Sequence, residues 1–447
     1  MVSPRVVGLA CFLLLSPAVA QLTSSSSSTS TSTSTDGITL LTGTKTPTTA
    51  SSTPTPTYSS PTSKVTLASS SSGATSVVQN ATAASADTTT VLTGSAKTST
   101  TLSGNGTATV TSSSEPEPTN TTPCNNYPEF CARRYSNITM VAAHNSPFIR
   151  PGSAAANQEY PVATQLDDGI RLVQAQIQWP VNGTEPHFCH TSCDILDAGP
   201  ITSWLTDVKN WVASHPYDVV TILLGNGNYS TPDKYVPYIE STGILAYAYT
   251  PPVVPMNLTD WPPLSQMILR GQRVVFFLDY NANQTAYPWL LDQFSQMWET
   301  PFDPVDPTFP CTVQRPPDLA PDQARARLYM ANHNLNAEVS LLGTSLLVPA
   351  VSLLNRTNAA NGTGSLGAAA EGCNQTWGRP PNFLNVDYYN FGSPNGSVFE
   401  VAARMNNVTY NRPCCGGVGV SGAARAPIAA RDFWLSIAIM VGAVFAL

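Results

Sequence analysis

Residues 169–179 read Gly-Ile-Arg-Leu-Val-Gln-Ala-Gln-Ile-Gln-Trp, so that Gln174, Gln176 and Gln178 alternate with Val173, Ala175 and Ile177. A period of two is the signature of a β-strand that shows a different character on each face. Outward along the chain, Asp218 to Leu224 (DVVTILL) and Arg273 to Tyr280 (RVVFFLDY) are continuous apolar runs. Such runs fit parallel strands buried on both faces. Residues 137–143 (NITMVAA), 327–331 (RLYMA) and 383–386 (FLNV) supply further strand candidates, whereas 204–214 and 288–298 (PWLLDQFSQMW) read as helices. Strands alternating with helices imply βαβ units and a parallel sheet. The 292 residues from Cys124 to Cys415 show no break in composition and fit one closed (β/α) barrel of the TIM type better than two domains. The expected class is α/β.

The remainder of the 447 residues is of another kind. From Gln21 to Asn120, Ser and Thr supply 54 of 100 residues and Tyr58 is the only aromatic one. That composition cannot bury enough apolar surface to offset the entropy of ordering it, so residues 21–123 read as a disordered, O-glycosylated stalk. With 21 basic against 28 acidic residues, a net charge of -7 and no basic run, the chain is not expected to have a nucleic-acid partner.

Both ends read as addresses. Residues 1–20 combine Arg5, the apolar run VVGLACFLLL and the closing Ala18-Val19-Ala20, the order of a secretory signal peptide. Residues 416–447 place small residues at Ser421-Gly422-Ala423, then a spacer, then the uncharged tail Phe433 to Leu447. This is the order of a glycosylphosphatidylinositol attachment signal whose tail is removed. Fifteen residues of helix reach only ~22 Å, short of the ~30 Å bilayer core. The expectation is a secreted, extracellular glycoprotein held at the cell surface by a lipid anchor, with N-glycosylation sequons from Asn80 to Asn407.

Export also sets the redox state. Beyond Cys11 in the leader, eight cysteines remain, and an oxidising compartment favours disulfides among them. Cys189 and Cys193 bracket His190 in Cys-His-Thr-Ser-Cys. A local disulfide is a better reading than a zinc site there, since no second ligand pair exists. No metal is expected.

In β/α barrels chemistry gathers where strands end and loops begin. His144, Asn226 and Asp387 fall at such ends, and His190 lies in the loop after the second strand. Two converging imidazoles would suit a general base and acid near neutral pH. The same residues also fit two hydrogen-bonding loop histidines.

The motifs Val-Ala-Ala-His-Asn-Ser (141–146), Gly-Ile-Arg (169–171), His-Thr-Ser-Cys (190–193) and Val-Asp-Tyr-Tyr (386–389) resemble, in this order, the X-region of phosphatidylinositol-specific phospholipase C, and within it the secreted fungal phospholipase-C-like phosphodiesterases. The resemblance covers residue 137 to about residue 411. It implies a distorted (β/α) barrel and a phosphoric diester hydrolase acting on a phospholipid or related inositol-type phosphodiester. It further implies that His144 takes the proton of the inositol 2-hydroxyl, that His190 protonates the leaving alkoxide and that Asp387 orients His144. Asn145, Gln174 and Gln176 fall where family members contact the phosphate or a calcium ion, and Asn226 is a further candidate substrate contact at the barrel mouth. The metal-dependent branch has carboxylates where this chain has Gln174 and Gln176, and neutral amides do not supply the charge that calcium requires. The metal-free branch has an arginine at the position of Gln176. Arg171 sits at odd offset on the same strand and should face away. Calcium is therefore disfavoured, no cofactor is expected, and the cation that would neutralise a phosphate is not visible in these motifs. The competing expectation is a catalytically lapsed barrel serving as a cell-wall or surface glycoprotein or binding module.

Overall fold

The computed structural model describes residues 58, 64–67, 122–149, 153–341 and 344–417. The leader, the attachment residues and the apolar tail lie outside the described residues. Among the described residues no helix is long and apolar enough to cross a membrane.

Ten strands form one sheet: β1 Met140–Ala143, β2 Leu172–Gln178, β3 His187–His190, β4 Leu196–Pro200, β5 Val220–Asn226, β6 Val274–Leu278, β7 Leu290–Asp292, β8 Met297–Glu299, β9 Leu328–Asn332 and β10 Phe383–Val386. Eight run in the order β8-β9-β10-β1-β2-β5-β6-β7 with every neighbouring pair parallel. Strand β3 joins β2 antiparallel, and β4 extends the hairpin. The sheet curls as a barrel of the expected type, but the expected closure is incomplete: among the described residues no ladder joins the end strands β7 and β8.

That gap explains the one helix misread from the sequence. Residues 288–298 form strand β7, a single helical turn (Gln293–Gln296) and strand β8. Every residue from Leu290 to Thr300 is buried, so an amphipathic helix, which needs a solvated face, has no place here. The apolar groups instead pair with Phe276–Leu278 on one side and Leu328–Met330 on the other.

Alternation along the strands feeds two cores. Ala142, Leu172, Leu223, Val275, Phe277 and Met330 point into the barrel, where Trp261 and Tyr135 stack with ring centroids 4.6 Å apart. Val141, Val173, Ala175, Ile177, Ile222 and Phe276 point outward beneath helices such as Ile201–Ser214, which presents Leu205, Val208 and Val212. Each such side chain contributes ~1.5–3 kcal/mol of transfer free energy on burial. Arg171 faces outward as its offset requires, bonding Asp218 at 2.7 Å beneath Trp211.

Disulfides join Cys124 to Cys131, Cys189 to Cys193, Cys311 to Cys373 and Cys414 to Cys415. Part of the stretch expected to be disordered is ordered: Val65–Thr66 pairs antiparallel with Val253–Val254.

Candidate active site

The parallel register aligns Ala143 with Val386. The residues that follow, His144 and Asp387, are thereby forced side by side where β1 and β10 end. His144 Nδ1 lies 2.8 Å from Asp387 Oδ1, with side chains only 5% and 2% exposed. The carboxylate holds Nδ1, which leaves Nε2 for the cleft. Burial opposes protonation of this imidazole, but the charge and hydrogen bond of Asp387 outweigh it, and the pKa of His144 is raised.

Two residues missed in the sequence frame this pair. Asn157 donates Nδ2 to Asp387 Oδ1 at 2.9 Å, and Gln158 donates Nε2 to the carbonyls of His144 and Val386 at 2.7 and 3.0 Å. Their loop carries no strand or helix pattern, so periodicity gave no signal.

His190 ends β3, with its loop closed by the Cys189–Cys193 disulfide. Phe148 packs edge-on against its ring at 5.3 Å between centroids. Burial and the neighbouring His144 lower its pKa to about 4. The two shifts run in opposite directions, so the surroundings favour a proton on His144 over one on His190.

His144 and His190 line one cleft of about 660 Å³ together with Asn145, Gln174 and Gln176. The two glutamines project from β2 at even offset. Gln178 Nε2 ties Gln176 Oε1 (2.7 Å) to the carbonyl of Thr191 (3.0 Å), linking this wall to the His190 loop. A Cβ at Gly227 would sit 2.7 Å from Gln178 Cγ and 2.9 Å from Gln176 Cγ, so this turn requires glycine to seat both amides.

Asn226 does not belong to the cleft wall. Its side chain is buried and committed to the Ser230 and Tyr280 carbonyls, the Ser230 amide and Tyr235 Oη. A strand-end position alone does not say which way an amide points. Asn226 acts on the site only through its backbone N–H, which donates to Asp279 Oδ1 at 2.7 Å. His333, another strand-end histidine, is also structural: it is buried against Phe309 and hydrogen-bonded to the Thr357 carbonyl.

The opposite wall holds the cation absent from the motifs. Arg315 lines the cleft from the loop after β8. It lies 3.3 Å from Glu299 Oε2 and 3.6 Å from Asp279 Oδ2, and it donates to Tyr280 Oη at 2.9 Å. Burial disfavours its charge, but Glu299, Tyr280 and Asp279 outweigh burial and raise its pKa. Asp279 is pushed up to about 6, chiefly by burial. The Cys311–Cys373 disulfide anchors this loop to the helix Leu366–Trp377. Because Arg315 is distant in sequence from every recognisable motif, nothing local marked it.

The donor set does not fit calcium. Asn145, Gln174 and Gln176 are neutral, Asp279 and Glu299 are already paired with Arg315, and Asp303 is, among the described residues, the single remaining carboxylate lining the cleft. Among the described residues no group of three His, Cys, Asp or Glu side chains could hold a metal ion.

A curled parallel β/α barrel with two imidazoles and a buried carboxylate at its strand ends defines the class. The family model described as PI-PLC X 1 matches residues 130–406, and the chain belongs to the PI-PLC X family. An "Uncharacterized secreted protein" of Arthroderma benhamiae is 56% identical over 299 residues, spanning 67% of each chain. A "PI-PLC X domain-containing protein 1" of the same fungus is 39% identical over 287 residues, spanning 64% of this chain and 90% of that one. Phosphatidylinositol-specific phospholipase C from Listeria monocytogenes aligns with a TM-score of 0.40 at 12% identity, over 62% of this chain and 95% of the other.

Proposed function

We propose that this protein is a cell-surface phosphodiesterase that cleaves a phospholipid or related phosphodiester with a polyol head group. The observation that carries this reading is the buried His144–Asp387 contact at 2.8 Å facing the same cleft as His190. In the reaction His144 Nε2 accepts the proton of an internal hydroxyl, which attacks phosphorus. His190 donates a proton to the departing alkoxide oxygen. Asp387 offsets the charge that His144 gains. The amide oxygens of Gln174 and Gln176 accept from Asn385 and Gln178, leaving their NH2 groups to donate to phosphoryl oxygens. Arg315, paired with two carboxylates, supplies only part of a cation's effect, and those carboxylates suit the hydroxyls of a sugar-like head group.

The productive state needs neutral His144 and protonated His190, the reverse of the preference in the free protein. The negative charge of a bound phosphodiester beside His190 favours its protonated form, opposing the effect of burial and of His144, and brings that state within reach. Surface attachment rests on the leader and tail motifs and on the relative named as secreted. The second reading, a binding module without catalysis, draws on Gln174 and Gln176 standing where the family holds charge. The test is product release by the purified protein from a panel of phosphodiester lipids and their water-soluble head-group analogues. Release from a polyol-bearing member supports the proposal, and no release from any member favours the binding module.

A further inference from the structure

The Ser/Thr-rich segment holds one aromatic residue, and that residue sits in the cleft. Tyr58 lines the same wall as Arg315, with its ring edge-on to Tyr280 at 5.6 Å and to Phe294 at 4.9 Å. Its hydroxyl lies 3.4 Å from Tyr280 Oη, the same oxygen that accepts from Arg315. Farther along, Lys64 pairs with Asp260, Val65 and Thr66 align with Val254 and Val253, and the Leu67 amide donates to the Pro252 carbonyl at 3.1 Å.

These two contact regions flank the place where the barrel ladder is open. Phe294 belongs to the single helical turn between β7 and β8. From that turn Gln296 Oε1 accepts the Met256 amide at 2.9 Å, two residues beyond the Val253–Val254 strand. A strand edge at 252–254, an acidic partner at Asp260 and an aromatic socket at Tyr280 and Phe294 together match the order Tyr58, Lys64, Val65-Thr66-Leu67. Low-complexity sequence offers no other segment with that combination.

We propose that the barrel carries a docking groove for its own N-terminal segment, in which Lys64–Leu67 adds a strand to the Val253–Val254 edge and Tyr58 caps the Arg315 side of the cleft. Strand addition gives the segment its register, and the aromatic contact gives it a destination. Docked, Tyr58 occupies space that substrate must use. Undocking opens the cleft, so apparent affinity falls by the fraction of molecules in the docked state. The docking stands on contacts alone, whereas its effect on turnover rests on the catalytic reading.

Hydrogen exchange by mass spectrometry on the full mature chain tests the docking without requiring activity. Leu67→Pro removes the donor to Pro252, and Tyr58→Ala empties the socket. The expected result is exchange at the Val253–Val254 amides about tenfold faster in Leu67→Pro, and at 278–284 about threefold or more faster in Tyr58→Ala, with the remaining barrel unchanged. Equal exchange in all three proteins overturns the proposal. On phosphatidylinositol vesicles, Tyr58→Ala should raise kcat/KM about three- to tenfold. Unchanged kcat/KM in an active protein overturns the capping role. Slow exchange in the native chain with no turnover in any variant supports docking and refutes the catalytic reading instead.

Discussion

Replacing Asp387 by Asn removes one charge while conserving shape at a fully buried point of the site. The side chains of His144 and Asp387 are 5% and 2% exposed, so water does not replace what is lost. Neutralising one member of a buried pair costs up to ~3–5 kcal/mol, with the isosteric amide toward the lower end. Without the carboxylate, burial becomes the dominant influence on His144, opposed only by Asp303 and Glu299. Its pKa should therefore drop from above the ordinary 6.5 to below it, and each unit of that fall is about 1.4 kcal/mol. The stability effect has a definite sign. In the native protein a raised pKa contributes stability that is full below 6.5 and lost as pH rises through the folded value. The variant loses this contribution, so the gap in Tm between the two proteins should be wider at pH 5 than at pH 9. Turnover should fall by roughly 10²–10⁴-fold as the base loses its charge compensation and fixed tautomer. Imidazole NMR titration read beside product release measures both quantities. An unchanged His144 titration with turnover within about threefold of native would refute the reasoning.

Three further outcomes are expected. The pH profile of kcat/KM should be bell-shaped, because the reaction needs one proton on the histidine pair: the acid limb reflects His190, near 4 in the free protein, and the alkaline limb reflects His144, above 6.5. A stopped reaction at pH 5.5 with full rate at pH 9 would contradict this. Activity should survive a chelator, and Gln176→Arg should raise cleavage of phosphatidylinositol by about tenfold or more by adding a cation that, unlike Arg315, is not already paired with carboxylates; calcium-dependent activity in the native protein would oppose that account. His333, buried with a pKa near 3, binds its proton only on unfolding, so stability should decline as pH falls below 6.5 toward 3. Denaturant titration of His333→Gln should show a shallower decline.

The barrel was legible because its strands are buried on both faces. DVVTILL and RVVFFLDY became β5 and β6, and FLNV matched β10 to the residue. The juxtaposition of His144 and Asp387 was legible for a related reason, since parallel register converts two strand-end positions into neighbours. What stayed hidden depends on long-range packing. PWLLDQFSQMW looks helical until both its faces are found buried, and the open seam beside it follows from pairing that no local pattern encodes. Asn226 and Arg315 exchange roles for the same reason. The strand-end amide turns inward to hold its own loop, while an arginine from an irregular segment reaches the cleft.

The most direct measurement of the central claim is phosphorus NMR of the products formed from phosphatidylinositol by the native protein and by His144→Ala and His190→Ala. Attack by an internal hydroxyl predicts the resonance of a five-membered cyclic phosphodiester from the native protein, and its formation should slow by about 10²–10⁴-fold in each variant. Formation of that product at native rate by either variant, or its absence from the native reaction, would contradict the account.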